Sequence, residues 1–427
     1  MKCISTVLNV LVSLAALSSC CIHAQPRSGL MASGEPERSA ALAAPAPTFI
    51  NVVSYGAKGD GRTDDTAAIN SAITACITRA KPNNGCILYF PAGVYLTTGL
   101  VLRSYVNMKG DGWGTSVIRL KPYTASDVLT VPVDAFNFSI YGLTLDGNSA
   151  RGGTGNCIFV AATATGPAEW NTANKRTSRV NAQKWGHIEE VMFSHCSADG
   201  IHINAFNYML FFDSFYSFDN GVYGLYTEGT NSGFSNFQIE RNGAAGIRLA
   251  GSNDRLTSGE VIWNGAAVSI EAAVNVTGAR NIVTAVETED NYASGFLDKG
   301  WDNVFIGCVS DSNGYVQGNT GASSRVASGF IIDGTGGVYI GNKVTSYRGR
   351  LPDGNFTTEW PYVVQNRDQS TIDISYDSTN KPVAASAAST KGFSITGKVA
   401  CVKSAGPPLV MGTCSTKINS TGSCACN

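Results

Sequence analysis

Phe237-Gln238-Ile239-Glu240-Arg241-Asn242-Gly243-Ala244-Ala245-Gly246-Ile247-Arg248-Leu249 holds a β-like run, an Asn-Gly turn and a second, shorter β-like run. The unit recurs. Asn or Asp precedes Gly at Asp199-Gly200, Asn220-Gly221, Asn242-Gly243, Asn264-Gly265 and Asn313-Gly314, and Asn291 fits the series without its Gly. Successive turns lie 21, 22, 22, 27 and 22 residues apart. Runs such as Val191-Met192-Phe193, Val261-Ile262-Trp263 and Val304-Phe305-Ile306 come before the turns. Runs such as Ile201-His202-Ile203, Val268-Ser269-Ile270 and Phe330-Ile331-Ile332 come after them. Apolar and polar residues alternate with period two, β-branched and aromatic residues are enriched, and helical periodicity is absent. Two or three short strands per ~22 residues make one coil of a parallel β-helix. Asn suits such a corner because it tolerates the left-handed conformation, and amides stacked on successive coils can hydrogen-bond in a ladder. Less regular coils are expected upstream, at 101–108, 117–120, 128–133 and 138–147.

Composition agrees with one long solenoid. The 427 residues include 31 Lys plus Arg and 32 Asp plus Glu, a formal net charge of -1. That balance argues against a nucleic-acid binder, which needs a basic surface. Charged residues are only 15 % and Gly numbers 47, as many turns require. The expected organisation is a signal peptide over 1–24, a flexible leader rich in Ala, Pro and Ser over 25–47, a β-helix over 48–378 and a Cys-rich tail over 379–427.

The apolar stretch from Val7 to Leu17 is too short to span a bilayer of ~30 Å as a helix. Two readings of it stay open. Ile22-His23-Ala24 suits ordinary cleavage and release, whereas Leu17-Ser18-Ser19-Cys20 resembles a lipobox that would anchor the chain through Cys20. Either way the protein is expected to be secreted, periplasmic or on the cell surface, with no membrane span. Twelve Cys occur, and nine remain outside the signal. Cys76 and Cys86 bracket a helix exit and are candidates to pair. Cys157, Cys196 and Cys308 read as buried small hydrophobes. The last four crowd the tail, where a disulfide staple is expected; zinc is the rival reading, disfavoured by the 13- and 10-residue gaps and the absence of nearby His.

Ahead of the coils stands Val53-Ser54-Tyr55-Gly56-Ala57-Lys58-Gly59-Asp60-Gly61-Arg62-Thr63-Asp64-Asp65-Thr66-Ala67-Ala68-Ile69, followed by Cys86-Ile87-Leu88-Tyr89-Phe90-Pro91-Ala92-Gly93-Val94-Tyr95. These segments resemble the start of the pectate-lyase-like superfamily, which holds polygalacturonases, rhamnogalacturonases, uronate-polymer C5-epimerases and phage tailspikes. The resemblance implies an all-β, single-stranded, right-handed parallel β-helix with an N-terminal capping helix. It also implies action on a polysaccharide, with calcium as a cofactor if the reaction is a lyase's, and homotrimeric assembly if it follows the tailspikes. Read from the residues alone, Asp64 or Asp65 caps a helix over Thr66 to Arg79, with Ala68, Ile69, Ala72, Ile73 and Cys76 facing inward.

Alternation around the turns assigns outward columns. Four residues before the turn stand His195, Tyr216, Gln238, Glu260 and Glu287. Two before it stand Ser197, Phe218, Glu240, Ile262, Glu289 and Asp311. Beyond it come His202, Tyr226, Arg248, Ser269 and Leu297, then Asn204, Glu228, Glu271 and Lys299 two residues on. Ser197-Ala198-Asp199-Gly200-Ile201-His202 resembles the polygalacturonase turn that carries a catalytic aspartate, and Asp219 falls on the next coil. Asp199, Asp219, His202 and Glu240 are therefore the candidate catalytic group. Tyr226, Glu228, Arg248, Trp170 and Trp185 are the candidates for substrate binding. The Asp-Asn pair at Asp219-Asn220 departs from that family's paired aspartates. The second candidate is the acidic set Glu260, Glu287, Glu289 and Asp311. Acids on adjacent coils would stand ~5 Å apart and acids two coils apart ~9.6 Å, which brackets glycosidase geometries. A lyase would instead use Arg248 or Lys299. His187, His195 and His202 show no metal-ligand spacing. The expected protein is thus an exported hydrolase or lyase acting on an acidic polysaccharide. Its rival is a non-catalytic carbohydrate-binding or structural surface β-helix of the tailspike kind.

Overall fold

The computed structural model describes residues 48–80, 84–161, 183–265, 272–314 and 328–345, and the backbone of six further strands between Trp360 and Lys417. The signal, leader, Trp170, Ser269 and Glu271 lie outside the described residues. Almost every strand pairs in parallel with the strand one coil on, and the chain winds as a parallel β-helix. Parallel pairing reaches the strand Ser394–Val402, which then pairs antiparallel with Leu409–Lys417.

The first helix, α1 (Thr66–Arg79), has the expected limits, and it buries Ile69, Ala72, Ile73 and Cys76. It packs on the strands Thr48–Asn51, Cys86–Phe90 and Val106–Gly110, covering the first coils. A solenoid needs that cover because its core would otherwise open at the end. The two acids divide the work. Asp64 Oδ1 accepts from Thr66 N at 3.0 Å, while Asp65 is buried and accepts from Lys58 N and Gly59 N. Cys76 and Cys86 are disulfide-bonded, which ties α1 to the first strands.

Along the coils the alternation holds. Ile201, Ile203, Leu225, Ile247 and Leu249 are fully buried. Aromatic rings stack inside from coil to coil: Phe212 on Phe234 at 5.2 Å, Phe215 on Phe237 at 5.5 Å and Phe296 on Phe330 at 4.7 Å.

The turn series is a buried ladder. Asn220 Nδ2 donates to Asn242 Oδ1 at 2.9 Å, and the same bond joins Asn242 to Asn264, Asn264 to Asn291 and Asn291 to Asn313. The left-handed residue is not the Asn, as the sequence suggested, but the one before it. Asp219, Arg241, Trp263, Asp290 and Ser312 have φ between 50 and 56°. The corner thus divides its two needs: one residue takes the bend, and the Asn behind it is free to bond inside.

The ladder also corrects the register at its first coil. Cys196 N donates to Asn220 Oδ1 at 3.0 Å, so the position equivalent to Asn220 is Cys196, three residues before Asp199. Met192 and Ser194, not His195 and Ser197, head the two columns before the corner. Cys157 and Cys196 are buried as expected, yet they are bonded to each other rather than free. Their Cα atoms are 5.5 Å apart, within disulfide reach. Among the described residues Cys308 is the free thiol, and burial pushes it up to about 12.

A second corner repeats the device. Ser232 N donates to Asp254 Oδ1, Asp254 N to Asn281 Oδ1 and Asn281 N to Asn303 Oδ1. Asn231, Asn253, Arg280 and Asp302, just before them, are left-handed.

Candidate functional site

Beyond the ladder corner, register partners run Phe159, His202, Tyr226, Arg248, Asn275 and Leu297. Asn275 takes the place expected for Ser269, because that coil is longer. The order His202, Tyr226, Arg248 stands as read from the alternation, and all three are half-buried.

These side chains are fixed by their neighbours. His202 Nδ1 lies 2.6 Å from Asp199 Oδ2, and Nε2 lies 3.2 Å from Asn204 Oδ1. Both partners are oxygen acceptors, so the arrangement suits an imidazolium donating from both nitrogens. Burial lowers the His202 pKa, but the hydrogen bond and charge of Asp199 outweigh it, and the net direction is up. Asp199 itself is buried, and Oδ1 accepts from Tyr223 N at 2.9 Å. Tyr226 packs edge-on to His202 with centroids 4.8 Å apart and donates its hydroxyl to Glu228. Burial, then Glu228, pushes Tyr226 up to about 12. On the other side, the Arg248 guanidinium lies over the Tyr226 ring at 5.4 Å and donates to Tyr223 Oη at 3.2 Å. The bond to Tyr223 raises Arg248, so it stays cationic. Asp199, His202, Tyr226, Glu228 and Arg248 thus form one cluster, in which an imidazole and a guanidinium bracket a phenol–carboxylate pair.

Asp219 and Glu240 belong to a different cluster. Asp219 is gripped by Arg241, with Nε at 2.9 Å and Nη2 at 3.1 Å, and His195 Nε2 stands 3.9 Å away. Glu240 is buried and bonded to Arg241 and Tyr216. The expected pairing of Asp199 with Asp219 is therefore not made by contact: the two acids have separate cationic partners on either side of the corner. A carboxylate held by two nitrogens of one guanidinium already has its oxygens engaged as hydrogen-bond acceptors. Trp185 is exposed on the strand Gln183–Ser194, away from the His202 strand.

The acidic set lies in register. Glu260 pairs with Glu287, and Glu289 with Asp311. Burial raises Glu260, Glu287 and Glu289, and neighbouring acids raise them further. Among the described residues no three His, Cys, Asp or Glu side chains gather closely enough to hold a metal ion.

Sequence reading missed Tyr223 and Arg241. Tyr223 lies in the turn and joins Asp199 to Arg248, and Arg241 is the left-handed residue of its corner. Neither stands on an alternating strand position, so alternation could not find them.

The model of the rhamnogalacturonase A/epimerase, pectate lyase-like family matches residues 49–283. A curated relative is the mannuronan C5-epimerase AlgE2 of Azotobacter vinelandii, 40 % identical over 111 residues, which are 23 % of this chain and 11 % of that protein. The chain therefore spans about a tenth of that relative. Among solved structures, the enzymatically active domain of the bacteriophage CBA120 tailspike protein 2 aligns with a TM-score of 0.62 at 15 % identity, covering 77 % of this chain and 48 % of that one. The Azotobacter vinelandii mannuronan C-5 epimerase AlgE6 A-module aligns with a TM-score of 0.55 at 18 % identity, covering 81 % and 99 %. These two likenesses establish the parallel β-helix.

Proposed function

Since the chain belongs to the rhamnogalacturonase A/epimerase, pectate lyase-like family, we propose that it is an exported enzyme acting on a uronate-containing polysaccharide. The reaction is proton transfer at C5, the carbon next to the sugar carboxylate. The observation that carries this reading is the bracketing of Tyr226 and Glu228 by His202 and Arg248.

The chemistry follows from the charges. A carboxylate bound between an imidazolium and a guanidinium has its charge offset, which makes the neighbouring C–H more acidic. The proton leaves C5 into the Tyr226–Glu228 pair. Its electron pair stays on C5. In elimination that pair forms the C4=C5 double bond, the C4–O bond breaks, and the departing oxygen takes a proton back from the tyrosine. In epimerisation C5 is reprotonated from the opposite face. Asp199 acts through His202, holding it charged and oriented. The epimerase relative is consistent with this class of chemistry, and two disulfides fit an oxidising, exported setting.

A second reading, hydrolysis at Glu287, Glu289 and Asp311, is favoured by their adjacent-coil register and by the raised pKa values of both glutamates. Digests of polymannuronate and polygalacturonate separate the two. Unsaturated or C5-inverted products support proton transfer. New saturated reducing ends support hydrolysis. Binding without any product supports a carbohydrate-binding protein.

A further inference from the structure

A groove of about 480 Å³ opens several coils beyond His202, lined by Ala250, Thr277, Lys299, Gly300, Trp301 and Asp333. Its floor is backbone. Gly278, Gly300 and Gly334 line it and stack so closely that a Cβ on each would come within 2.4 Å of the carbonyl oxygen one coil earlier. No side chain can fill that floor without moving the coils apart. Beside it, Thr230, Ser252, Ala279, Trp301 and Thr335 are bridged in a single column. Four of these five are small, and Trp301 projects with 60 % of its surface exposed. A ring left mostly exposed beside an open groove is a surface available to a ligand.

The groove is continuous with the proposed reaction column. Backbone bonds place Asn204, Glu228, Ala250, Thr277, Lys299 and Asp333 in one row, one residue past the strand ends. Asn204 contacts His202 and Glu228 contacts Tyr226. At Ala250 and Thr277 the row becomes small, so a track stays open toward Lys299. The strand of His202 is four register steps from that of Leu297, ~19 Å at ~4.8 Å per coil.

We infer that this groove is a distal subsite for the same polysaccharide, with a sugar ring stacked on Trp301 and the chain running along the row to Tyr226. The inference rests on the proposed function for the direction of the chain, but its test reads binding rather than turnover. Full-length protein and its Trp301→Ala and Trp301→Phe variants are titrated with a long polymannuronate oligomer, a long polygalacturonate oligomer and the trimer of each. Thermal melts confirm that the variants are folded. The expected result is that Trp301→Ala weakens one long oligomer tenfold or more, that Trp301→Phe weakens it much less, and that trimer affinity changes little by comparison. Equal affinity of wild type and Trp301→Ala for both long oligomers overturns the subsite, and so does a wild type that binds neither. Trp301-dependent binding without turnover keeps the subsite and removes the proposed reaction.

Discussion

The ladder corner and the column beyond it are built on the same coils, yet they use sequence in opposite ways. At the corner the same residue returns on every coil from Asn220 to Asn313, because each amide must accept from one neighbour and donate to the next. In the column Phe159, His202, Tyr226 and Arg248 occupy equivalent positions and none repeats. Backbone pairing needs no particular side chain at these outward positions. Variety there is free for chemistry, while uniformity at the corner is dictated by bonding.

Four substitutions test that contrast. Tyr226→Phe keeps the ring between His202 and Arg248 and removes the hydroxyl. Turnover should fall ~10²- to 10⁴-fold, with the urea midpoint unchanged. Asn264→Ala should do the reverse. It removes the acceptor for Asn242 and donors to Ile239 O and Asn291, and equilibrium unfolding should show a loss of about 3 kcal/mol. The paired Cys157→Ala, Cys196→Ala variant ends the ladder without its disulfide and should lose about 2–4 kcal/mol by the same measurement. An unchanged midpoint in either corner variant would show that the repeat is not what holds the coils.

The fourth substitution concerns Asp254, the acid within the second ladder. It is fully buried, Oδ2 has no partner, and burial raises its pKa to about 8. Asn281 and Asn303 donate from this position to Gly251 O and Gly278 O. The equivalent acceptor for Asp254 is Gly229 O, which only a protonated Oδ2 could bond. Below the unfolded value near 4 the acid is neutral in both states, and its contribution is fully present. As pH rises toward 8 the unfolded chain ionises first, so stability falls across that window. Asp254→Asn should flatten the decline, adding about 1–3 kcal/mol at pH 8 and little at pH 4. Parallel stability–pH curves for wild type and variant would refute it.

The contrast also explains what could be read in advance. Corner residues were visible because repetition is itself a signal, and the period located the coils, while the acid cap and apolar face located α1. Asp199-Gly200 misled by mimicking the corner dipeptide, while Cys196 held the true position behind a different bond. In the column, His202, Tyr226 and Arg248 emerged from alternation alone. Their turn-borne partner Tyr223 did not, and neither did Arg241 across the corner, which claims Asp219 and Glu240. Such contacts depend on where loops bring side chains together, and no local period encodes that.

Proton nuclear magnetic resonance of a uronate polymer treated with the protein in D₂O tests the central claim most directly. Proton transfer at Tyr226 predicts that the H5 signal of the sugar disappears, through deuterium uptake or C4=C5 unsaturation, and that it persists with Tyr226→Phe. New reducing ends with every H5 signal intact would contradict it and move the chemistry to the acidic column.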